Sequence, residues 1–272
     1  MSFFFDVLGT EGFILASDVR LLINGQQGYS HKVAPSGPNS KVRCAIAVCG
    51  DYPEACINFF TEAHSLKDSL RETAQYFATK WTERYVGTSA YSAVHMVGYE
   101  KMLGTDAVVP QLWYWRTWDE GRFLTEAELQ KEYSSFSEPI PANNHLPWLI
   151  KRWTGKFPSE TTLAQEQTMA MSFLRLYEPL FTWNGDSTFW RSAADAVGSA
   201  MNLLWRQKAS WDIADIAKLT STCLEFLAKL GDLLPESTVA LSPEGQFDVL
   251  QLTPNETTWI RRAKWPLNNG TA

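Results

Sequence analysis

Residues 3–8 (Phe-Phe-Phe-Asp-Val-Leu) and 13–17 (Phe-Ile-Leu-Ala-Ser) are two apolar runs with only Gly9, Thr10, Glu11 and Gly12 between them. A parallel connection consumes about a dozen residues or more, so runs this close predict an antiparallel hairpin. A second, more polar pair, 20–24 and 30–33, stands around Asn24-Gly25, whose two residues both tolerate positive φ. A loop from Pro35 to Ser40 leads into a strand over 41–48 that ends at Gly50. Two helices follow at once. Asp51 with Glu54 reads as a capping box with Pro53 in the first turn, and Ala55, Ile57, Phe59 and Phe60 supply the apolar surface. Leu66, Leu70, Ala74, Phe77 and Trp81 recur at three and four residues, which predicts a second helix from about Leu66 to Tyr85.

Strands return at 90–99 and 111–118, the latter with Trp113 and Trp115 on one face and Tyr114 and Arg116 on the other. A turn at 119–122, a short helix capped by Thr125 and Glu128, a loop holding Pro139, Pro141 and Pro147, and a helix near 160–177 come next. After a strand-like run to Trp183, Asn184-Gly185-Asp186-Ser187 reads as a turn capping a helix to about Gln207. Ser210 is read as the cap of a helix over 211–230. Its apolar side is Ile213, Ile216, Leu219, Cys223, Phe226, Leu227 and Leu230, and Gly231 ends it. Strands near 237–241 and 246–252 close the pattern, and the tail beyond Pro254 reads as irregular. Blocks of strands alternating with blocks of helices predict an α+β fold of antiparallel sheets covered by helices, not a parallel βαβ sheet.

At 272 residues and 45% apolar composition, one large domain with a sizeable insertion is expected. The division is residues 1–253 as the domain, about 124–175 as the insertion, and 254–272 as the tail. The formal charge is −6 with no basic stripe, which argues against a nucleic-acid partner. No run approaches the roughly 18–20 apolar residues of a membrane helix. The start, Met-Ser-Phe-Phe-Phe-Asp, lacks the basic region of a secretory signal. Cys44, Cys49, Cys56 and Cys223 fit neither a redox pair nor a zinc set and read as buried thiols, which suggests the cytoplasm. His31, His64, His95 and His145 have no ligand spacing, and no Gly-rich phosphate loop is present, so neither metal nor cofactor is expected.

The chemistry gathers at the beginning of the chain. Once Met1 is removed, Ser2 carries a hydroxyl and an α-amine on one residue. An α-amine with a pKa near 7.7–8.0 serves as a base at neutral pH, so nucleophile and base come together. Gly12 follows ten residues after Ser2 and Asp18 sixteen after it. Asp18-Val19-Arg20 closes an apolar run, Lys32 lies in the next hairpin, and Gly50 abuts the helix start.

This constellation resembles the β-type subunits of proteasomes and their bacterial relatives, HslV and the Anbu type. The family's second strand ends in Gly-apolar-apolar-apolar-Ala-small-Asp-x-Arg. Here the stretch reads Gly12-Phe13-Ile14-Leu15-Ala16-Ser17-Asp18-Val19-Arg20, without a gap from the first residue. The similarity spans residues 2–100 and returns over about 183–252, leaving 124–175 unmatched. It departs from the family in three places. The nucleophile position is Ser instead of Thr, the hairpin before Lys32 is about two residues shorter, and Val239 stands where an acid would precede Ser242.

The resemblance implies a four-layer αββα sandwich of the N-terminal-nucleophile hydrolases, with roles for particular residues. Ser2 attacks the amide carbon and its own amine takes the proton. Lys32 favours the deprotonated groups, Asp18 orients Lys32, and the Gly50 N–H stabilises the oxyanion, with Arg20 as a brace. Asn184, Asp186 and Ser242 are the candidates for supporting positions, and Leu21, Ser30, Val48 and Tyr52 for an apolar specificity pocket. The implied substrate is a peptide or unfolded protein, the implied assembly a ring or spiral of copies, with an unfoldase as a further partner. In that assembly the insertion, with Trp148 and Trp153, would cover an interface or narrow an entry. Two alternatives remain open at this point: a catalytically inactive structural subunit of the same fold, and an amidase acting on small molecules.

Overall fold

The structure is a computed structural model. It describes residues 3–8, 11–23, 26–101, 108–119, 122–123, 180–185, 211–232 and 246–264, with 200, 203, 204 and 207 as single helical positions. Strands β1 (Phe3–Leu8), β2 (Phe13–Asp18), β3 (Arg20–Ile23), β4 (Gln26–Tyr29), β5 (Val33–Pro35) and β6 (Cys44–Gly50) lead into helices α1 (Pro53–Leu66) and α2 (Leu70–Tyr85). Strands β7 (Ser92–Lys101), β8 (Val108–Arg116), β9 (Trp118–Asp119), β10 (Arg122–Phe123) and β11 (Leu180–Gly185) follow. Helix α3 (Ile213–Asp232) and strands β12 (Phe247–Leu252) and β13 (Thr257–Arg261) come last.

Two antiparallel sheets carry the core: one in the order β11-β1-β2-β12-β13 and one in the order β5-β6-β7-β8. Alternation along each strand sorts the side chains into three apolar layers. Phe5, Val7, Ile14, Ala16, Phe247 and Val249 pack with Ile216, Ala217, Leu224 and Leu227 of α3. Phe4, Phe13, Leu15, Leu250 and Leu252 meet Val33, Ala45, Ala47, Cys49, Ala93 and Val97 of the other sheet. On that sheet's far face, Ile46, Val48, Val94, Met96, Trp113 and Trp115 pack with Cys56, Phe60, Ala74, Phe77 and Trp81 of α1 and α2. Strands buried on both faces explain why β2 and β6 read as continuous apolar runs and not as alternating ones. Each large side chain so enclosed stabilises the fold by about 1.5–3 kcal/mol.

Several expected boundaries shift, each for a local reason. The hairpin around Asn24-Gly25 resumes at Gln26, so its second strand is 26–29; Val33 already belongs to the other sheet, paired with Ala47. Asn24 and Gly25 themselves lie outside the described residues. Helix α1 has no capping box: its N-cap is Tyr52, with no side-chain bond, and the Asp51 carboxylate accepts the Tyr91 N–H instead. Leu66 ends α1 and is exposed; α2 starts only after Ser69, whose hydroxyl accepts the Glu72 N–H. Asn184 and Gly185 are not a turn but the end of β11, opposite Phe4 and Phe3. Asp212 supplies the cap of α3 by accepting the Asp215 N–H, Gly231 remains inside the helix, and Phe226 faces outward, 52% exposed.

The tail is not irregular throughout: β13 pairs with β12 across a register shift at Val249/Leu250. The expected strand at 237–241 and the insertion over 124–175 lie outside the described residues. All four cysteines are buried and free, with burial pushing Cys44 up to about 12 and Cys56 and Cys223 to about 11. Among the described residues, no helix is long and apolar enough to cross a membrane.

Candidate functional site

The apolar run of β2 stops at Asp18, a carboxylate with no exposed surface. One of its oxygens accepts the Arg20 N–H at 3.1 Å, the side-chain-to-backbone link two residues on that bends the chain out of β2 and into β3. Both oxygens also accept from Lys32 Nζ, at 2.9 Å each, and the same ammonium donates to the Arg20 carbonyl at 2.5 Å. Both side chains of the pair are fully buried. A buried ammonium is tolerable only with such partners, because an unpaired one costs several kcal/mol in desolvation.

The backbone holds Lys32 in place from both sides. The Ser30 N–H donates to the Val19 carbonyl and the Val48 N–H to the Lys32 carbonyl, both at 2.8 Å. Residues 30–32 are thereby stitched between the end of β2 and the end of β6. N–H groups two residues apart on a strand point to the same edge, so the Gly50 N–H points the way the Val48 N–H does, toward the Lys32 side.

Gly50 is fixed by geometry. Its φ is +102°, and a Cβ placed there would lie 2.3 Å from the Tyr91 carbonyl oxygen. The turn after it is rigid. The Asp51 N–H donates to the Tyr91 carbonyl at 2.6 Å, the Tyr91 N–H to Asp51 Oδ2 at 2.8 Å, and the Tyr85 hydroxyl to the Asp51 carbonyl at 2.7 Å. Burial raises the Tyr85 phenol well above its ordinary value, so it stays a donor. A backbone amide fixed in this way is suited to hold a developing negative charge.

Two further pairs lie close by, one with a half-buried histidine and one fully enclosed, and neither was expected from the sequence. Asp248 Oδ2 and His31 Nδ1 are 2.8 Å apart, and Asp248 Oδ1 accepts the Ala263 N–H at 3.0 Å. In the β2–β12 ladder Ser17 faces Asp248 and Asp18 faces Phe247, so the two carboxylates stand one register step apart. The Ser17 hydroxyl is buried without a hydrogen-bond partner among the described residues. Asp6 and His95 join the two sheets at 2.6 Å, with the Phe4 ring edge-on to the imidazole. The available signal was a single acid inside an apolar run, in Phe-Phe-Phe-Asp-Val-Leu and in Phe-Asp-Val-Leu. A charge there demands a partner, but the sequence does not say which.

The structure thus gathers Asp18, Arg20, Lys32 and Ser30 into one cluster, with Gly50 on its β6 side. Ser30 and Leu21 are nearly enclosed, and the Ser30 hydroxyl donates to the His31 carbonyl. Val48 is fully buried in the layer under α1 and α2. Tyr52 is 55% exposed, carries the Arg84 guanidinium 4.5 Å above its ring, and opens on a cleft of about 430 Å³ with Asp51, Thr88 and Ser89. Asn184 is placed by its backbone opposite Phe4. Ser2, Asp186 and Ser242 lie outside the described residues. Among the described residues, no three His, Cys, Asp or Glu side chains stand together as metal ligands.

No protein-family model and no curated protein matches the chain. Solved structures do. An Anbu (Gly-1) mutant from Hyphomicrobium sp. strain MC1 superposes with a TM-score of 0.51 at 11% identity, covering 96% of this chain and 86% of that one. Anbu (ancestral beta-subunit) from Yersinia bercovieri gives 0.51 at 10% identity, covering 95% and 86%. At such identities the likeness speaks for the fold alone, and function has to be argued from the site. The chain has the α+β, proteasome-like fold that these Anbu structures share.

Proposed function

We propose that this protein is a proteasome-like N-terminal-nucleophile peptidase, a four-layer αββα sandwich with Ser2 as nucleophile once Met1 is removed. The observation that carries the reading is the buried Lys32 ammonium, clasped by Asp18 at the end of β2. Ser2 directly precedes β1 in the sequence, and the second residue of that strand, Phe4, pairs with Ser17. In this reading Ser2 Oγ bonds to the amide carbon while its proton passes to the α-amine. The Gly50 N–H holds the oxyanion, and the proton then leaves with the departing amine. Water hydrolyses the resulting ester and regenerates the hydroxyl. Lys32 keeps positive charge beside these steps, and Asp18 fixes its position.

The same proposal includes a self-compartmentalising ring or spiral of copies, with peptide or unfolded protein as substrate; sedimentation of the purified protein tests the assembly. The chemistry is tested by intact mass after exposure to an epoxyketone peptide, which closes a ring with both the hydroxyl and the free amine. A one-to-one adduct on protein lacking Met1, absent in Ser2→Ala, supports the reading. Protein lacking Met1 that takes no adduct overturns it.

One observation favours a second reading, a structural subunit of the same fold without catalysis. Lys32 Nζ has three acceptors, two on Asp18 and one on Arg20, which match its three N–H groups. In that reading the cluster only braces the β2–β3 bend, and purified protein retains Met1.

A further inference from the structure

We propose that Asp248 is a positioning residue of this site. It acts through His31 on the segment that carries Lys32, and through Ala263 it makes the C-terminal segment part of the same framework. The part that concerns Ser2 rests on the hydrolase reading above; the rest does not.

Asp248 has no exposed surface, and each of its oxygens takes a hydrogen bond from a different segment outside the ladders, His31 before β5 and Ala263 beyond β13. Buried carboxylates need such donors, so losing either one leaves the other poorly compensated. Between its two backbone anchors, the segment 30–32 sends successive side chains to different carboxylates: His31 to Asp248 and Lys32 to Asp18. Those carboxylates stand on neighbouring strands, one register step apart. The sheet therefore grips the segment at two consecutive residues, and a shift of one side chain carries the other with it. The carboxylate also fixes the imidazole. A proton on Nδ1 faces Asp248, which puts the acceptor lone pair of the neutral ring on Nε2.

Asp248→Asn and Ala263→Pro separate these links. An asparagine must turn its oxygen to the Ala263 N–H, which can only donate, so its NH₂ faces His31 and demands the opposite tautomer. Proline removes the Ala263 donor and leaves Asp248 intact. Three readouts are compared: imidazole ¹⁵N resonances, with His31 assigned through His31→Gln; amide exchange over 30–34 against α2; and the rate of the epoxyketone adduct. We expect the Nδ1–H tautomer of His31 in the wild type and the Nε2–H tautomer in Asp248→Asn. Exchange over 30–34 should quicken in Ala263→Pro while α2 is unchanged, and adduct formation should slow roughly ten- to hundredfold in both variants. An unchanged tautomer in Asp248→Asn, or wild-type labelling rates in both variants, overturns the proposal. If the wild type takes no adduct, the hydrolase reading has failed, and exchange in Ala263→Pro alone decides: faster over 30–34 sustains Asp248 as the anchor of that segment, and no change removes it.

Discussion

Lys32→Met is the most demanding test of how this site is built. Methionine keeps an unbranched apolar stem as far as the ε carbon and removes the ammonium with its three donors. Asp18 then keeps the Arg20 N–H but loses both bonds from Nζ, in a place with no exposed surface. Removing one partner of a buried pair costs about 3–5 kcal/mol. For a domain of this size that lowers Tm by something on the order of 10 °C. The companion variant, Asp18→Leu with Lys32→Met, removes both charges at once; the Arg20 carbonyl loses its ammonium in both variants, and the double variant adds only the loss of the Arg20 N–H partner, about 1–3 kcal/mol. The double variant should therefore be more stable than Lys32→Met alone. Urea unfolding followed by tryptophan fluorescence measures this, with an unchanged slope as the check that the compactness of both states is preserved. A Lys32→Met loss under about 1 kcal/mol, or single effects that add within about 0.5 kcal/mol, would refute the buried, coupled pair.

Gly50→Ala should cost at least about 1–3 kcal/mol, because its φ of +102° is closed to other residues and the new Cβ would meet the Tyr91 carbonyl at 2.3 Å; a stable variant with wild-type adduct formation would disprove its place in the site. Cys44 and Cys56, pushed up to about 12 and 11, should resist a disulfide reagent at pH 8 in the native protein and react once urea is added. Since unfolded thiols ionise near 8.5 and these stay protonated when folded, their contribution to stability is complete below about pH 8 and declines as pH rises through 9 to 12, measurable as a falling urea midpoint. Phe60→Ala should lose about 3–5 kcal/mol, whereas Phe226→Ala, on the outer face of α3, should stay within about 0.5 kcal/mol; equal losses would mean the outer face of α3 is covered.

What the sequence reveals and what it hides divide along physical lines. The hairpin of β1 and β2 was legible because the connection is too short for anything else. The inner face of α2 was legible because Leu70, Ala74, Phe77 and Trp81 repeat with the helical period. Starts and ends were harder, because capping groups have competing uses. Asp51 has the spacing of a cap, yet its carboxylate closes a bond to Tyr91, forty residues away in the chain. The tail hid β13 because Thr257–Arg261 is an edge strand with alternating partial exposure, and the signal of an edge strand is weak. In the site, Asp18 and Lys32 were legible through a motif and its spacing. His31 with Asp248 and Asp6 with His95 were not, because pairings over 217 and 89 residues depend on how the sheets meet.

That distribution of charge carries an argument of its own. At one end of the β1-β2-β12 sheet, Leu8 pairs with Phe13 and Phe13 with Leu252, an apolar row with nothing to satisfy. Toward the other end come Asp6, Asp248 and Asp18, three buried carboxylates, bonded to His95, His31 and Lys32 respectively. Stability does not call for this arrangement. Replacing a buried ion pair by apolar side chains of similar volume is often neutral or stabilising by about 1–4 kcal/mol. An isosteric apolar cluster at this end would hold the sheets together nearly as well as Lys32 and Asp18 do, less the bonds that they make to the Arg20 backbone. What it would not supply is a fixed positive charge beside a fixed backbone amide, and those are the two things an N-terminal hydroxyl needs in order to act as a nucleophile. If replacing both charges by Leu and Met costs no more than the bonds lost at the Arg20 backbone, the pair is not there to hold the fold, and the structural-subunit reading loses the observation that favours it.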